Sequence, residues 1–227
     1  MNYTFYWINL NRDITRKNYM ETIFKEHNIK NIRIPAILGS PTEADKELAC
    51  TQSHIKAIKT FLETSNDDIG IICEDDLSFD YKPYWRKSIE NIIKDAPKDW
   101  EIIQLGIIID NNLDQEFYNN STDYIKHKPR KYWSMICYAI NRKSAEKINN
   151  VQVNKENEYL RVADLFLYSH FKTYTYKYPL FTYRDNNDST IHPNHLSIHV
   201  RSKEIIHKFL QETQKNYDLD ILVLTKS

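Results

Sequence analysis

Ile69-Gly70-Ile71-Ile72-Cys73-Glu74-Asp75-Asp76-Leu77 sets a short continuous apolar run directly before three carboxylates. With Asp67-Asp68 as the turn in front of it, the run predicts a strand buried on both faces of a mostly parallel sheet, because a strand with one wet face would alternate. Open α/β sheets bind ligands beyond the C-terminal ends of their strands, and the acidic triplet stands at that end. Three adjacent carboxylates repel one another and sit badly there unless a cation neutralises them. All-oxygen donors suit a hard ion, Mn²⁺ or Mg²⁺, which can hold a diphosphate and stabilise it as a leaving group. The plainer alternative is a solvated acidic turn that caps a helix.

Outward from this stretch the chain alternates strand and helix. Toward the N-terminus, Tyr3 to Leu10 reads as a strand, and Asp13 offers an N-cap to a helix with Met20, Ile23, Phe24 and His27 on one face. A strand through Ile32, Ile34 and Ala36 ends at Gly39, and Ser40-Pro41-Thr42-Glu43 fits a capping box with Pro at the first helical position. The helix that follows is expected to turn Leu48, Ile55, Ile58 and Leu62 to the core. Toward the C-terminus, a helix through Trp85, Ile89, Ile92 and Ile93 stops at Pro97, and Trp100 to Leu105 returns as a strand. Residues 110–131 read as a polar excursion suited to a lid, Met135 to Ile140 as a strand and Ser144 to Ile148 as a short helix. Thr173 to Tyr178 has strand composition, Asp185 to Asp188 reads as a loop, and Lys203 to Leu210 as a terminal helix. This order predicts an α/β protein with a mostly parallel central sheet, in one domain spanning 1–227.

Composition narrows the function classes. Lys plus Arg and Asp plus Glu number 31 each, so no global field draws the chain to nucleic acid or to an anionic membrane. No apolar run reaches the ~20 residues of a membrane span, and the N-terminus lacks the pattern of a signal peptide. Cys50, Cys73 and Cys137 are odd in number and widely spaced, which argues against a disulfide framework and for a soluble protein of a reducing, cytoplasmic compartment. With 3 glycines in the chain, a Rossmann or P-loop phosphate cradle is excluded.

Arginine can serve instead. Arg12, Arg16 and Lys17 crowd the start of the first helix, where the dipole disfavours cations, so an anion sharing the site explains them; pairing with Asp13 or Glu21 is the simpler account. Glu47, Thr51 and His54 share one helical face suited to a cleft. Cys50 and His54, one turn apart, lack a third ligand, and no zinc site is read from them. Asp164 stands alone in the apolar run Val162-Ala163-Asp164-Leu165-Phe166-Leu167, as a helix N-cap or as a general base whose pKa burial has raised. His192, His195 and His199 form a polar cluster in which His192 is the candidate metal or phosphate contact.

Taken with Ile8-Asn9-Leu10, Ala36 with Gly39, Glu47-Leu48-Ala49-Cys50-Thr51-Gln52-Ser53-His54, Trp100 to Gly106 and Tyr138-Ala139-Ile140, these residues resemble glycosyltransferase family 25, which includes lipooligosaccharide and procollagen hydroxylysine galactosyltransferases. The resemblance spans most of the chain. It implies a single GT-A-type nucleotide-sugar-binding fold, a UDP-sugar donor, a Mn²⁺-like ion, and inversion at the anomeric carbon. Galactose or glucose would pass to a hydroxyl of a glycan or collagen-like polypeptide. Asn9, Leu10, Arg12 and Arg16 then look like donor-site residues, Ser53 and His54 like cleft residues, and Glu74 to Asp76 like the metal triplet, with Glu74 and Asp76 as ligands and Asp75 toward the donor. Asp164 looks like the family's later aspartate, in keeping with its reading as catalytic base; His192 is a further metal-ligand candidate read from its own cluster and not from the resemblance. The metal motif reads Glu-Asp-Asp here in place of a strict Asp-x-Asp. Two rival readings are a non-catalytic glycan-binding or assembly protein on the same fold and a metal-dependent phosphodiesterase or nuclease.

Overall fold

The computed structural model describes residues 3–110, 112–113, 115–184 and 196–224, the last ten of these by backbone alone. The apolar run forms β3 (Ile69–Glu74), and it lies inside a seven-stranded sheet. The other strands of that sheet, in chain order, are β1 (Phe5–Asn9), β2 (Asn31–Pro35), β5 (Ile102–Gln104), β6 (Tyr124–Lys126), β7 (Cys137–Asn141) and β8 (Thr173–Tyr176). Spatially the order is β2-β1-β3-β7-β5-β8-β6. Strands β2, β1, β3, β5 and β8 run one way, while β7 and β6 run against them, so the sheet is mostly parallel as the sequence predicts. The remaining strands, β4 (Leu77–Ser78) and β9 (Thr182–Tyr183), make a small ribbon beside the site.

Alternation along β1 shows how both faces are buried. Phe5 and Trp7 pack on one side with Met20, Ile23 and Phe24 of α1 (Ile14–Glu26), Ile92 of α3 (Ile89–Asp95) and Phe209 of α8 (Leu196–Leu224). Tyr6 and Ile8 pack on the other with Ile58 and Phe61 of α2 (Glu43–Thr64) and with Phe166 and Leu167 of α7 (Ala163–His170). The result is a three-layer α/β/α sandwich. Gly70 permits this packing: a Cβ there would lie 2.7 Å from Cγ of Phe61, so alanine would displace that ring at a cost of about 1–3 kcal/mol.

Several local expectations shift. Thr42, not Ser40, caps α2; its hydroxyl accepts from Asp45 N at 3.2 Å and donates to Asp45 Oδ2 at 2.6 Å, which leaves Pro41 outside the helix. Trp85 is not helical: its indole N–H donates to Leu180 O at 2.8 Å, and α3 starts only after Ser88 caps Asn91 N. The face of α2 that is fully buried holds Ala49, Thr51, Ser53, His54, Ala57, Ile58 and Phe61, whereas Leu48, Ile55 and Leu62 are half-buried. Polar residues win the inner face because that half of the helix backs onto a cleft. The excursion at 110–131 contains a short helix α4 (Gln115–Asn119) and edge strand β6, whose three residues are too few to show a period. The stretch expected as a short helix is α5 (Arg142–Ala145) followed by a 3-10 turn over Glu146–Asn150. The terminal helix is longer than expected, and the loop at 185–188 lies outside the described residues. No described helix is long and apolar enough to cross a membrane.

Candidate active site

Register brings the first two site residues together. Ile8 pairs with Glu74 across the parallel β1–β3 ladder, so the next residues, Asn9 at the end of β1 and Asp75 just past β3, stand side by side. Asn9 Nδ2 donates to Asp75 Oδ2 at 2.7 Å, while its own Oδ1 accepts from Arg33 Nε at 2.9 Å. The helix that follows β1 turns its first residues back over the strand ends. Asp13 caps it, accepting Arg16 N at 3.0 Å, and Arg16 Nη1 donates to Asp75 Oδ1 at 2.7 Å and lies 3.7 Å from Asp76 Oδ2. The anion that accounts for a cation at this helix start is thus supplied, for Arg16, by the acidic triplet itself. Arg12 is exposed on the cleft wall.

The three carboxylates therefore point to different work. Asp75 is buried, and burial outweighs Arg16 and Asn9 in holding its pKa above the ordinary carboxylate value. Glu74 turns away from Arg16's hydrogen bonds toward α2, where His54 Nε2 lies 3.4 Å and Cys50 Sγ 3.8 Å from its Oε1. Burial raises its pKa, but the hydrogen bond and charge of His54, together with the charge of Arg16 and the Cys50 hydrogen bond, outweigh this and leave it lowered. Asp76, half-buried, faces the cleft beside Arg16.

Because β7 runs antiparallel to β3, its N-terminal approach arrives at the same sheet edge: Cys73 pairs with Cys137, and Glu74 N donates to Ile136 O at 3.1 Å. Ser134, just before, has φ of 103°, a conformation that a side chain disfavours. It is held there from several sides. Its carbonyl accepts from Gln104 Nε2 at 3.1 Å and Tyr168 Oη at 2.8 Å, and its N–H donates to Asp164 Oδ1.

Asp164 sits in the first turn of α7 but does not cap it; Val162 occupies the cap position without a side-chain bond. Just ahead of it, α6 (Glu158–Arg161) is clasped to α2 through Arg161 Nε to Glu47 Oε2 at 2.5 Å and through the Thr51 hydroxyl to Arg161 O at 2.5 Å. Burial, then the charge of Glu74, raise the pKa of Asp164 to about 7 against the opposing pull of the Ser134 N–H.

These groups line one cleft of about 1010 Å³, at the upper end of the range for small-molecule sites. Asn9, Leu10, Arg12, Arg16, Ser53, Glu74, Asp75, Asp76 and Asp164 all border it. His54 stands behind Glu74, fully buried. The Ser53 hydroxyl donates to Ala49 O at 2.7 Å and accepts from Ile37 N at 2.9 Å, so it ties down the loop between β2 and α2. Gly39 lets that loop close on α2: a Cβ there would lie 2.5 Å from Asp45 O. His192 and His195 lie outside the described residues; His199 lines the cleft with Tyr183, whose hydroxyl bonds to the His199 carbonyl.

The sequence reading passed over Ile37 and Leu38, exposed at 39% and 61% on the cleft rim, and Trp133, whose indole donates to Asp110 Oδ2 at 3.2 Å across the cleft wall. Two apolar residues ahead of a glycine in a loop are a usable signal for such a lip. Nothing local marks Ser134.

No family model matches the chain, and no curated protein matches it in sequence. Among solved structures, protein A197 from STIV is similar over 76% of this chain and 81% of its own, at 12% identity and a TM-score of 0.41. A glycosyltransferase involved in the glycosylation of the major capsid of PBCV-1 is similar over 65% of this chain and 63% of its own, at 10% identity and a TM-score of 0.38. Likeness at this level says nothing about substrate or chemistry.

Proposed function

We propose that this chain is a glycosyltransferase that moves a hexose, galactose or glucose, from a UDP-sugar to a hydroxyl of a glycan or collagen-like acceptor, with inversion, on a GT-A-type fold. One observation carries the reading: a carboxyl whose pKa is raised to about 7, Asp164, shares a single nucleotide-sized cleft with the acidic cluster at the C-terminal end of β3, beside the end of β1. The sequence resemblance to family 25 supports the same assignment and supplies the donor class.

In this mechanism Asp164 Oδ takes the proton of the acceptor hydroxyl as its oxygen attacks the anomeric carbon, and the bond to UDP breaks on the opposite face. Arg12, exposed on the wall, meets the diphosphate. Asn9 and Arg16 hold Asp75 through both of its oxygens, which fixes the floor of the cleft. The carboxylate donor set fits a hard divalent ion: Arg16 offsets one of three formal charges, and Asp76, with Glu74 or Asp75, would hold Mn²⁺ or Mg²⁺. Such an ion supplies charge stabilisation to the departing diphosphate. Ile37 and Leu38 offer an apolar lip to the uridine or the sugar.

A screen of UDP-sugars with Mn²⁺, read first as protection against thermal unfolding and then as sugar transferred to acceptor, tests the proposal. Binding with neither transfer nor donor hydrolysis would turn the reading to a glycan-binding or assembly protein. Cleavage of nucleic acid or phosphodiester without sugar transfer would turn it to a phosphodiesterase.

A further inference from the structure

Behind the carboxylate cluster, three side chains of different chemistry converge. Cys50 and His54 stand one turn apart on α2, and Glu74 reaches them from the end of β3. Cys50 Sγ and His54 Nε2 lie 3.8 and 3.4 Å from Glu74 Oε1, and all three donor atoms fall within 4.8 Å of one another. A tetrahedral ion bound at ordinary zinc distances has edges of about 3.4 Å between nitrogen and oxygen and about 3.6 Å between sulfur and oxygen. The two edges at Glu74 are therefore close to those of a bound ion, and the third, from Cys50 to His54, lies within 4.8 Å.

The surroundings agree. The other ring nitrogen, His54 Nδ1, lies 3.3 Å from the Tyr138 hydroxyl, the kind of outer contact that fixes the tautomer and plane of a metal-binding imidazole. His54 is fully buried, while Cys50 and Glu74 line the cleft, which gives an ion a way in and leaves its fourth position on the cleft side. One sulfur, one imidazole nitrogen and one carboxylate oxygen select a borderline-soft ion over Mg²⁺ or Mn²⁺.

We infer that Cys50, His54 and Glu74 form a three-residue site for a zinc-type divalent ion, open toward the cleft. Binding replaces the Cys50 S–H bond with a sulfur–metal bond and releases that proton to solvent. The site goes beyond glycosyl transfer and stands without it, since its occupancy is read with neither donor nor acceptor. Glu74 also borders the hard-ion position at Asp76, and the choice of probe keeps the two apart.

The test uses the full chain, stripped with a chelator and titrated with Co²⁺, reading the thiolate-to-cobalt charge-transfer band in the near ultraviolet. A saturable band that Zn²⁺ abolishes is expected in the wild type and in Asp76→Ala. It should be absent in Cys50→Ser, and Glu74→Gln should weaken Co²⁺ by tenfold or more. No band in the wild type, or a band that survives Cys50→Ser, overturns the assignment. A measurement on the unaltered protein guards against a misfolded variant: Zn²⁺ should slow alkylation at Cys50, mapped by peptide mass. Equal modification of Cys50 with and without Zn²⁺ overturns it as well.

Discussion

Arg16 donates from Nη1 to Asp75 Oδ1 over 2.7 Å, with both side chains largely withdrawn from solvent at 17% and 10% exposure. Breaking a pair this buried leaves Asp75 and Asp76 without their guanidinium. Arg16→Ala is therefore expected to lower stability by about 3 kcal/mol in urea unfolding. Asp75→Asn in the same background should recover part of the loss, and a loss under 0.5 kcal/mol would show the pair to be incidental.

Arg12 has the opposite profile, being exposed on the cleft wall. Arg12→Ala should leave the urea midpoint unchanged while weakening UDP roughly tenfold and uridine hardly at all, because a charge-assisted contact of about 1.5–3 kcal/mol is lost with the phosphates alone. Isothermal calorimetry with the two ligands reads the difference. Equal losses for both would remove Arg12 from the diphosphate.

Asp76→Ala should abolish the Mn²⁺-dependent part of UDP binding and leave the fold intact, as one carboxylate fewer eases repulsion in the cluster. Calorimetry with Mn²⁺ and with EDTA measures it. Identical wild-type affinity in the two conditions sinks the hard-ion assignment.

Asp164→Asn should retain donor binding and lose transfer by a factor of 10² or more, since the amide keeps an acceptor for the Ser134 N–H but takes no proton. Wild-type transfer should fall on an acid limb near pH 7, where Asp164 titrates. Stability moves the other way. Because the folded-state pKa is raised, the native protein holds more protons than the unfolded chain between the ordinary carboxylate range and about 7, so stability declines as pH rises through that window. Asp164→Asn should thus melt higher than wild type above pH 7, with the gap closing in acid. Near-normal transfer by the variant would leave the base unassigned.

Ser134, at φ of 103°, offers a test of stored strain. Glycine and alanine both lose the hydroxyl that accepts from Ile136 N at 3.1 Å, but alanine alone keeps a Cβ in the disfavoured region. Ser134→Gly should be about 1 kcal/mol more stable than Ser134→Ala by denaturant midpoint. The reverse order would mean that the surroundings impose no strain there.

By itself the sequence determined the layered α/β plan and the place of the acidic cluster. A continuous apolar run must be covered on both faces, so Ile69 to Cys73 had to lie inside a sheet between helices, and Asp13, whose capping bond spans three residues, declared the first helix locally. The antiparallel entry of β7 had no such signature, because strand direction depends on the path of the connection and not on the strand's composition. The inner face of α2 was legible only in part: helical spacing put Glu47, Thr51 and His54 on one polar face, but apolar periodicity also turned Leu48, Ile55 and Leu62 inward, where the fold leaves them half-buried. The site's pairings were decided by tertiary structure alone. Arg16 with Asp75, Glu74 with Cys50 and His54, and Asp164 with Ser134 join positions far apart in the chain, and hydrogen bonds between such positions leave no repeat to read. Asp164 shows the physical reason most directly: its residue type is a matter of sequence, but a pKa of about 7 comes from burial and from a neighbouring charge, and both exist only once the chain has folded.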